Sequence, residues 1–430
     1  MFFVYNFLQI ILIIAGFPIL VLLVLIKKKY RTRILHRLGF SLQKNLSLPN
    51  ITGKKIIWIH CLSVGEVTSS LPLVRGLKEE LDNIIIVFSA STLTGMKVAE
   101  QNIRPYVDSL IPAPLDLLFT VSTFIKQIQP DLFILVETDF WPNWLWKLQK
   151  ENIPAMLVNG RISKSSFSNY RRFHFLFHSM FQTFTLLSMQ TEQDAMQMHR
   201  LSITQEKIMT LGNLKYDTAR TLEQGRNSLA NRSDLNIPEE SQVWICGSTH
   251  RGEEEIILSA YVTLKKNHDK LVVIIAPRDP GRTIEIIQLA TDKSIGATRR
   301  TSLSDPIEPL LILDTIGELT RCYTLADVAF IGGSLVDCGG HNPLEAASCE
   351  IPVLFGSHME DFQEISRDLV QSNGGRIVHN TDELAEAVHQ ILSDSGLHQS
   401  MSRAAGELMT KNAEVVRRHI DEINKILHTI

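Results

Sequence analysis

The sequence predicts an α/β protein with two Rossmann-like, doubly wound parallel-sheet domains facing across a cleft, preceded by an N-terminal membrane-anchor helix. Apolar runs of strand length alternate with amphipathic helical stretches from residue 54 onward, and a second such set begins at Gln242. Residues 2–26 instead form one apolar run. A length of 430 residues fits two or three domains. We place the anchor at 1–26, the N-terminal domain at 27–220, the C-terminal domain at 221–405, and at 406–430 a C-terminal helix expected to pack back on the N-terminal domain.

The N-terminal apolar run is interrupted only by Tyr5, Asn6 and Gln9, and it exceeds the roughly 20 residues that span a bilayer core. A signal peptide would carry positive charge ahead of such a run, whereas here six basic residues follow it, at 27–29, 31, 33 and 37. Basic residues stay on the cytoplasmic side and attract anionic head groups. We therefore expect an uncleaved anchor, single-pass or monotopic, with the body at the cytoplasmic face of the membrane. A buried core helix is the alternative.

The predicted strands are continuous runs rich in β-branched residues, which is typical of parallel sheets covered by helices on both faces. A polar, helix-prone stretch at 217–240 separates the two sets. Doubly wound sheets bind ligands at the carboxyl ends of their strands. The predicted strands are 55–59, 84–89, 132–136 and 155–158 in the first half, and 242–246, 271–275, 310–313, 328–331 and 352–355 in the second.

Composition excludes several classes of protein and site. A net charge of -3 and the lack of an arginine-rich tract with interleaved aromatics after residue 40 argue against nucleic-acid binding. Five scattered cysteines without a CxxC pair argue against a zinc site and a disulfide framework, and for a reducing compartment. No Asp-x-Asp pair precedes a predicted cleft strand. We therefore predict no metal ion and no cofactor.

A glycine-rich loop follows the apolar run 326–330 and leads to Glu345. Four glycines at positions 332–340 allow positive φ angles and close approach of a ligand. Asn342 and Pro343 resemble the N-cap and N1 residues of a helix, which puts Glu345 at N3. Unpaired N–H groups there would bind an anion, and Glu345 could accept hydrogen bonds from two ribose hydroxyls. Alternatively, Glu345 only closes a capping box with Asn342.

Glu66 lies where the first predicted strand leads into a helix. Ser63 and Gly65 suit a tight turn at this point, which places Glu66 beside the helix N-terminus. We expect the carboxylate to stay ionised there and to act as a general base that takes a proton from a hydroxyl. The alternative is a first-turn glutamate that only stabilises the helix dipole.

Glu137 and Asp139 follow the strand 132–136, and Trp141 nearby could serve as a platform for a sugar. The alternative for this segment is a helix cap and a core aromatic. Lys215, in the segment 212–217, is expected to point toward the cleft and to neutralise a phosphate or a sugar-acid carboxylate. A solvated surface charge is the alternative.

Three further loops of the second half are expected at the carboxyl ends of its predicted strands, as is the glycine-rich loop. They are Gly247–His250, which precedes an acidic helix start at 251–255, Arg278 at the end of the strand 271–275, and the turn 314–319. Together they supply more contacts to an anionic ligand than a single glycine loop would.

These motifs, taken in order, resemble the family of transferases for 3-deoxy-D-manno-oct-2-ulosonic acid (Kdo), which move this sugar from CMP-Kdo onto a lipid A precursor in lipopolysaccharide synthesis at the bacterial inner membrane. The resemblance covers nearly the whole chain. It rests on the apolar N-terminus and on the segments 63–66, 137–143, 159–163, 212–217, 247–250, 277–278, 317–319 and 332–345. The departures from the family pattern are mild. Asn159-Gly160-Arg161 stands where a residue less like glycine is common in the family, and Cys61-Leu62 stands where the family has small residues.

The resemblance implies a GT-B glycosyltransferase fold, with the acceptor bound by the N-terminal half and CMP-Kdo by the C-terminal half. It implies that Glu66 accepts the proton and that Glu137 and Lys215 assist the transition state. The residues implied to hold CMP are Pro277, Arg278, Gly317, Glu318, Leu319, Asn342, Pro343, Leu344 and Glu345.

A single displacement at the anomeric carbon would invert that centre without a covalent enzyme intermediate. Two alternatives remain open from the sequence. One is another GT-B nucleotide-sugar transferase or epimerase that uses a UDP-sugar. The other is a membrane-anchored binding protein without turnover, against which the intact Glu66 argues.

Overall fold

The structure is a computed structural model that describes residues 2–26, 34–40, 42, 46, 48–49, 51–217, 231–303, 305 and 307–429; of 2–3 and 17–26 it describes the backbone alone. The contacts divide the chain into two compact units, Met1–Thr218 together with Glu414–Ile430, and Ala219–Ala413. The second boundary lies at 413/414, whereas the sequence analysis placed it at 405/406.

The first unit contains a seven-stranded parallel sheet with the order β3-β2-β1-β4-β5-β6-β7. Its strands are β1 Lys55–Cys61, β2 Ile84–Ala90, β3 Ser109–Pro112, β4 Leu132–Val136, β5 Ala155–Gly160, β6 Leu186–Met189 and β7 Ile208–Thr210. Its helices are α1 Phe2–Ile26, α2 Val64–Glu80, α3 Leu93–Asn102, α4 Leu118–Ile128, α5 Pro142–Lys150, α6 Lys164–Arg172, α7 His174–Gln182 and α8 Glu192–Arg200.

The second unit repeats this design with the strand order β10-β11-β9-β8-β12-β13-β14, again all parallel. Its strands are β8 Gln242–Thr249, β9 Leu271–Pro277, β10 Ala297–Arg299, β11 Leu310–Ile312, β12 Val328–Ile331, β13 Val353–Phe355 and β14 Gly375–Ile377. Its helices are α9 Glu253–Leu264, α10 Thr283–Asp292, α11 Leu319–Cys322, α12 Leu344–Ser348, α13 Gln363–Gln371, α14 Thr381–Ser393 and α15 Ser395–Lys411; α16, Val415–Thr429, returns to the first unit.

Two parallel-sheet α/β units confirm the predicted fold class for the body of the protein. The sequence analysis missed the short strands β3, β6, β7, β10 and β14. All but β6 are edge strands, which are only partly buried and therefore lack a continuous apolar run.

The side chains of β1 show why its apolar run is unbroken. Ile57 and Ile59 enter the core on one face of the sheet, whereas Ile56 and Trp58 enter the core on the other. The Trp58 ring contacts the rings of Phe133 and Trp144, with centroids 5.4 and 4.8 Å away. With both faces covered, polar side chains are confined to the strand ends.

Helix α16 completes the first unit. Its Arg418 guanidinium donates to the Leu211 carbonyl at 2.9 Å. The fully buried His419 lies 2.7 Å from the Ser188 hydroxyl through Nε2 and 2.7 Å from the Val415 carbonyl through Nδ1. Since a carbonyl can only accept, Nδ1 carries the proton and Nε2 accepts from Ser188. Gly76 of α2 leaves room for α16, because a Cβ there would stand 2.8 Å from Ile420 Cδ1.

Within the described part of the chain, we find no helix that combines the length and the apolar character needed to cross a membrane.

Burial lowers the pKa of His419 to about 4, with the Arg418 charge acting in the same direction. The neutral imidazole therefore stabilises the fold above the unfolded pKa of about 6.5, and this stability is lost as the pH falls toward 4. Between pH 7 and 5, the wild type should lose about 1–2 kcal/mol of unfolding free energy more than His419→Gln does. Urea unfolding at both pH values measures the difference. His428→Gln, at an exposed position of α16, is the control, and equal losses in wild type and His419→Gln would contradict the assignment.

Candidate active site

A buried network joins the carboxyl ends of three adjacent strands of the first sheet, β2, β1 and β4. His60 Nε2 lies 3.0 Å from Asp139 Oδ2, and the Ser91 hydroxyl donates to the same oxygen at 3.3 Å. On its other side, His60 Nδ1 lies 3.0 Å from the Ser89 hydroxyl. Burial raises the pKa of Asp139, but hydrogen bonds from His60, Trp141 and Ser91 outweigh it and hold the pKa below its usual value. Asp139 is therefore a carboxylate, fixed in place by β1 and β2.

Glu66 lies beside this network, at the start of α2. Ser63 is the N-cap, and the two residues form a capping box: Glu66 N–H donates to the Ser63 hydroxyl at 3.4 Å, and the Glu66 carboxylate accepts from the backbone N–H groups of Leu62 and Ser63. Glu66 thus stabilises the start of α2, as the alternative of a first-turn glutamate expected, and it does so through a capping box that the sequence analysis had not assigned to it. The capping box does not account for the burial of Glu66, whose side chain is only 4% exposed.

The expectation that Glu66 stays ionised is wrong. Burial, with the charges of Glu137 and Asp139, raises its pKa to about 8, although the hydrogen bonds from Leu62 and Ser63 act in the opposite direction. Glu66 thus holds a proton at neutral pH and gives it up near pH 8. A group that titrates close to the working pH is better matched to proton transfer than an ordinary glutamate.

Glu137 occupies an unusual backbone conformation at the end of β4, with φ of +65°. Left-handed φ is uncommon for a glutamate and costs of order 1 kcal/mol, so the surroundings must enforce it. Its N–H donates to the Val158 carbonyl at 2.9 Å, and its carboxylate accepts from Asn159 Nδ2 at 3.3 Å. Glu137, Glu66 and Asp139 thus form one acidic cluster.

Asn159 connects this cluster to the segment that carries Lys215. Its side-chain oxygen accepts from Leu214 N–H at 3.0 Å, while its amide nitrogen donates to Glu137. Asn159 is fully buried and also left-handed, with φ of +59°. Asparagine tolerates this conformation better than most residues, which accounts for the glycine-like character noted at this position. Lys215 N–H donates to Asn213 at 3.0 Å, and Lys215 is half-buried.

In the second unit, two histidines and an arginine gather at the carboxyl ends of β8, β9 and β12. His250 Nε2 lies 2.8 Å from His341 Nε2, with the rings stacked at 5.1 Å. Arg278 N–H donates to the Thr249 carbonyl at 3.0 Å. Burial lowers the pKa of His341 to about 4, and Arg278 and His250 contribute to the shift. His341 is therefore neutral at pH 7, and the positive charge that would suit an anion here is that of Arg278.

Contrary to the expectation from the sequence, the N–H groups at the start of the glycine loop after β12 are occupied within the protein. N–H groups of Gly333, Ser334 and Leu335 donate to the Glu253 carboxylate at 2.7, 3.0 and 2.9 Å, and His250 N–H donates to it at 2.8 Å. Glu253 is fully buried. The chain therefore fills this anion-binding loop with its own carboxylate.

Glu345 does not cap the helix with Asn342. Helix α12 begins at Leu344, one residue later than predicted, and Asn342 accepts from the Leu344 N–H at 3.1 Å. The Glu345 carboxylate instead accepts from the Thr320 hydroxyl of α11. This contact brings Glu345 next to the turn 317–319, where Gly317 has φ of +92°.

The remaining predicted donor residues lie at the same sheet edge. Pro277 is the last residue of β9, and Glu318 accepts from Arg300 at 3.2 Å. Leu319 packs on Gly247 of β8: a Cβ at Gly247 would stand 3.0 Å from the Leu319 side chain and 2.0 Å from the Tyr323 hydroxyl. Asn342, Pro343 and Leu344 form the start of α12. Within the described residues, no three side chains of His, Cys, Asp or Glu come together as a metal site.

Sequence reasoning missed His60, Ser91, Asn159, His250 and His341 as site residues. His60 directly precedes the turn that carries Glu66, and His250 directly follows β8. Their partners follow other strands and could not be assigned from spacing.

Comparison with known proteins gives a consistent result for both units. A family model described as 3-deoxy-D-manno-octulosonic-acid transferase matches residues 32–218, and a model for glycosyl transferases group 1 matches 248–408. A 3-deoxy-D-manno-octulosonic acid transferase of Haemophilus influenzae is 34% identical over 93% of this chain and 92% of its own. One of Rickettsia bellii is 27% identical over 98% of both chains.

Among solved structures, the UDP-GlcNAc 2-epimerase of Neisseria meningitidis bound to UDP-GlcNAc matches with a TM-score of 0.60 and 13% identity. The match covers 85% of this chain and 100% of that one. At this identity the likeness shows the fold alone. Together with the two parallel-sheet units, it supports the GT-B fold.

The raised pKa of Glu66 predicts a pH-dependent cost to stability. Because the folded pKa of about 8 exceeds the unfolded one, protonated Glu66 stabilises the fold at low pH, and this stability is lost as the pH rises to 8 and beyond. The side chain in Glu66→Gln cannot ionise. Between pH 6 and pH 9, the melting temperature of this variant relative to that of the wild type should therefore rise, by the equivalent of about 2 kcal/mol of unfolding free energy. Thermal melts across this range, with the exposed Glu100→Gln as control, test it. A constant difference between wild type and Glu66→Gln would show an ordinary, solvated carboxylate.

Proposed function

The chain belongs to the 3-deoxy-D-manno-octulosonic acid transferase family, glycosyltransferases that transfer Kdo in lipopolysaccharide synthesis, and from this premise we propose that it transfers Kdo from CMP-Kdo to a lipid A precursor. The observation that carries the proposal is the acidic cluster of Glu66, Glu137 and Asp139 at the strand ends of the first unit. A sugar hydroxyl is a weak nucleophile, and such a cluster can remove its proton.

In the proposed reaction, Glu66 takes the proton of the acceptor hydroxyl as its oxygen attacks the anomeric carbon of Kdo. The new C–O bond forms while the bond from that carbon to the CMP phosphate breaks, and the electron pair leaves with CMP. One displacement inverts the anomeric centre. Burial, together with the negative charges of Glu137 and Asp139, raises the pKa of Glu66 to about 8 and makes it a stronger base than an ordinary glutamate.

Glu137 and Lys215 are proposed to assist the transition state. Asn159 fixes both segments through its two side-chain atoms, at 3.3 Å from the Glu137 carboxylate and 3.0 Å from Leu214 N–H. A lysine at this position supplies positive charge for a phosphate or for the Kdo carboxylate.

For the donor, we propose that Arg278 neutralises the CMP phosphate and that Glu345 accepts hydrogen bonds from the ribose. CMP is a good leaving group, so neutralising its charge matters more than supplying a strong acid. Pro277, the turn of Gly317, Glu318 and Leu319, and the helix start of Asn342, Pro343 and Leu344 would complete the contacts. No metal ion or cofactor is proposed.

We further propose that α1 anchors the protein in the inner membrane, single-pass or monotopic, with the body at its cytoplasmic face. In the part of α1 whose side chains are described, Val4, Phe7, Leu8 and the residues 10–14 are apolar and exposed. Such a surface favours a lipid environment. Of the basic residues that follow, those at 27–33 lie outside the described residues.

A direct assay tests the function. Purified full-length protein is incubated with CMP-Kdo and a tetraacylated lipid A precursor, and the products are resolved by mass. Addition of one or more Kdo units is expected, with release of CMP. Transfer from a UDP-sugar instead of CMP-Kdo would favour the alternative enzyme class, and binding of CMP-Kdo without any product would favour a binding protein.

Glu66→Gln should keep the donor KM and lower kcat by roughly 10²-fold or more, since glutamine cannot take the proton. In the wild type, kcat/KM should rise from pH 6 and level off above about pH 8, as the carboxylate forms. Steady-state kinetics across this range, with Glu100→Gln as control, measure both. A variant with normal turnover would leave Glu66 with its capping role alone.

Glu345→Gln should raise the donor KM by about 10- to 100-fold, because a neutral amide replaces two charge-assisted hydrogen bonds to the ribose. The structure supplies the matched control: Thr320→Val removes the partner of Glu345 but not the carboxylate. If Glu345 serves only to hold Thr320, both variants should lose a similar amount of thermal stability while the donor KM stays unchanged.

A further inference from the structure

The three polar side chains that interrupt the apolar sequence of α1 share one face of the helix. Tyr5 and Gln9 are four residues apart, and Asn6 and Gln9 are three apart, so all three point to the same side. The apolar residues on the remaining faces, such as Phe7 and Ile14, are 63% and 69% exposed.

This polar face is bonded to the body of the first unit. The Tyr5 hydroxyl donates to Asp116 Oδ2 at 2.8 Å, and the Gln9 amide donates to the Asp116 carbonyl at 2.7 Å. Asn6 donates to the Asn143 side-chain oxygen at 2.8 Å, and Asn143 donates to Gln9 at 3.2 Å. Each of the three polar residues therefore has a partner on the body.

Asp116 and Asn143 also determine where α5 starts. The N-cap residue Trp141 makes no side-chain capping bond. Asp116 takes that role from a distant part of the sequence, because its carboxylate accepts from the N–H groups of Asn143 at 3.2 Å and Trp144 at 3.0 Å. Asn143 is fully buried. The loop between β4 and this helix start carries Glu137 and Asp139.

We infer that the polar face of α1 is a positioning device. It holds the lipid-facing helix in a fixed register against Asp116 and Asn143, and therefore against the acidic loop that handles the acceptor. This fixed register favours transfer to an acceptor held in a lipid surface over transfer to the same sugar in solution. This inference rests on the proposed function and on the proposed anchor. Hydrophobic residues at positions 5, 6 and 9 would bind lipid as well or better, so anchoring alone does not call for the polar residues found there.

The test uses the full chain and the variant Tyr5→Phe/Gln9→Leu. These substitutions remove two of the bonds to Asp116 and keep α1 apolar, while Asp116 still caps α5. Transfer is measured to a tetraacylated lipid A precursor in phosphatidylethanolamine–phosphatidylglycerol vesicles and to the deacylated, water-soluble bis-phosphorylated disaccharide. Tyr106→Phe, which removes a tyrosine hydroxyl elsewhere in the first unit, is the control; Asn6→Leu is a second variant should the first fail to fold.

The variant should still float with the vesicles, yet its kcat/KM on the vesicle-borne acceptor should fall about tenfold, because a small misplacement of reacting groups costs this much or more. Its kcat/KM on the soluble acceptor and the donor KM should change less than about twofold.

The inference is overturned if the ratio of the two kcat/KM values stays at the wild-type level, if both fall equally, or if the variant no longer binds vesicles. Failure of the wild type to transfer Kdo to either acceptor would instead refute the proposed function, and the inference with it.

Discussion

The pairing of β1 with β2 on one side and β4 on the other is the constraint on which the rest of the first unit depends. A central strand in a parallel sheet has its backbone paired along both edges and both faces buried, so polar chemistry can emerge only at its carboxyl end. His60, Ser91 and Asp139 are therefore brought together by strand order, although they lie far apart in the sequence. The same constraint gathers His250, Arg278 and His341 at the end of the second sheet.

Buried carboxylates serve different purposes at these sheet ends, and their surroundings decide which. Glu253 is surrounded by backbone N–H donors and holds a loop in shape. Asp139 has a histidine and a hydroxyl as partners and stays charged. Glu66 has two backbone donors, but burial and the neighbouring acids outweigh them, so it keeps a proton at neutral pH. Glutamate at a helix start is therefore ambiguous until its neighbours in space are known.

The sequence was sufficient to predict both parallel sheets, because long apolar runs that alternate with helical stretches fit few architectures besides a parallel sheet covered on both faces. It also located Glu66 and Glu137 at strand ends, since the motif positions follow directly from the strands. It could not predict that Glu253 fills the glycine loop or that Thr320 binds Glu345, because these contacts join segments that are unrelated in spacing. The polar residues of α1 were visible as interruptions, but their role depended on Asp116 and Asn143, which nothing in the local sequence connects to them.

The return of α16 to the first unit affects how the protein is made. The first unit includes residues 414–430, so part of its core, including Val415, Ile420 and Ile423, is supplied only by the last helix of the chain. The second unit, in contrast, is contiguous in sequence. During synthesis at a ribosome, the second unit can complete its core before residues 414–430 are made, whereas the first unit cannot. This order reverses the usual progression from the N-terminal domain, and it leaves the face of α2 that packs against α16 uncovered for longer.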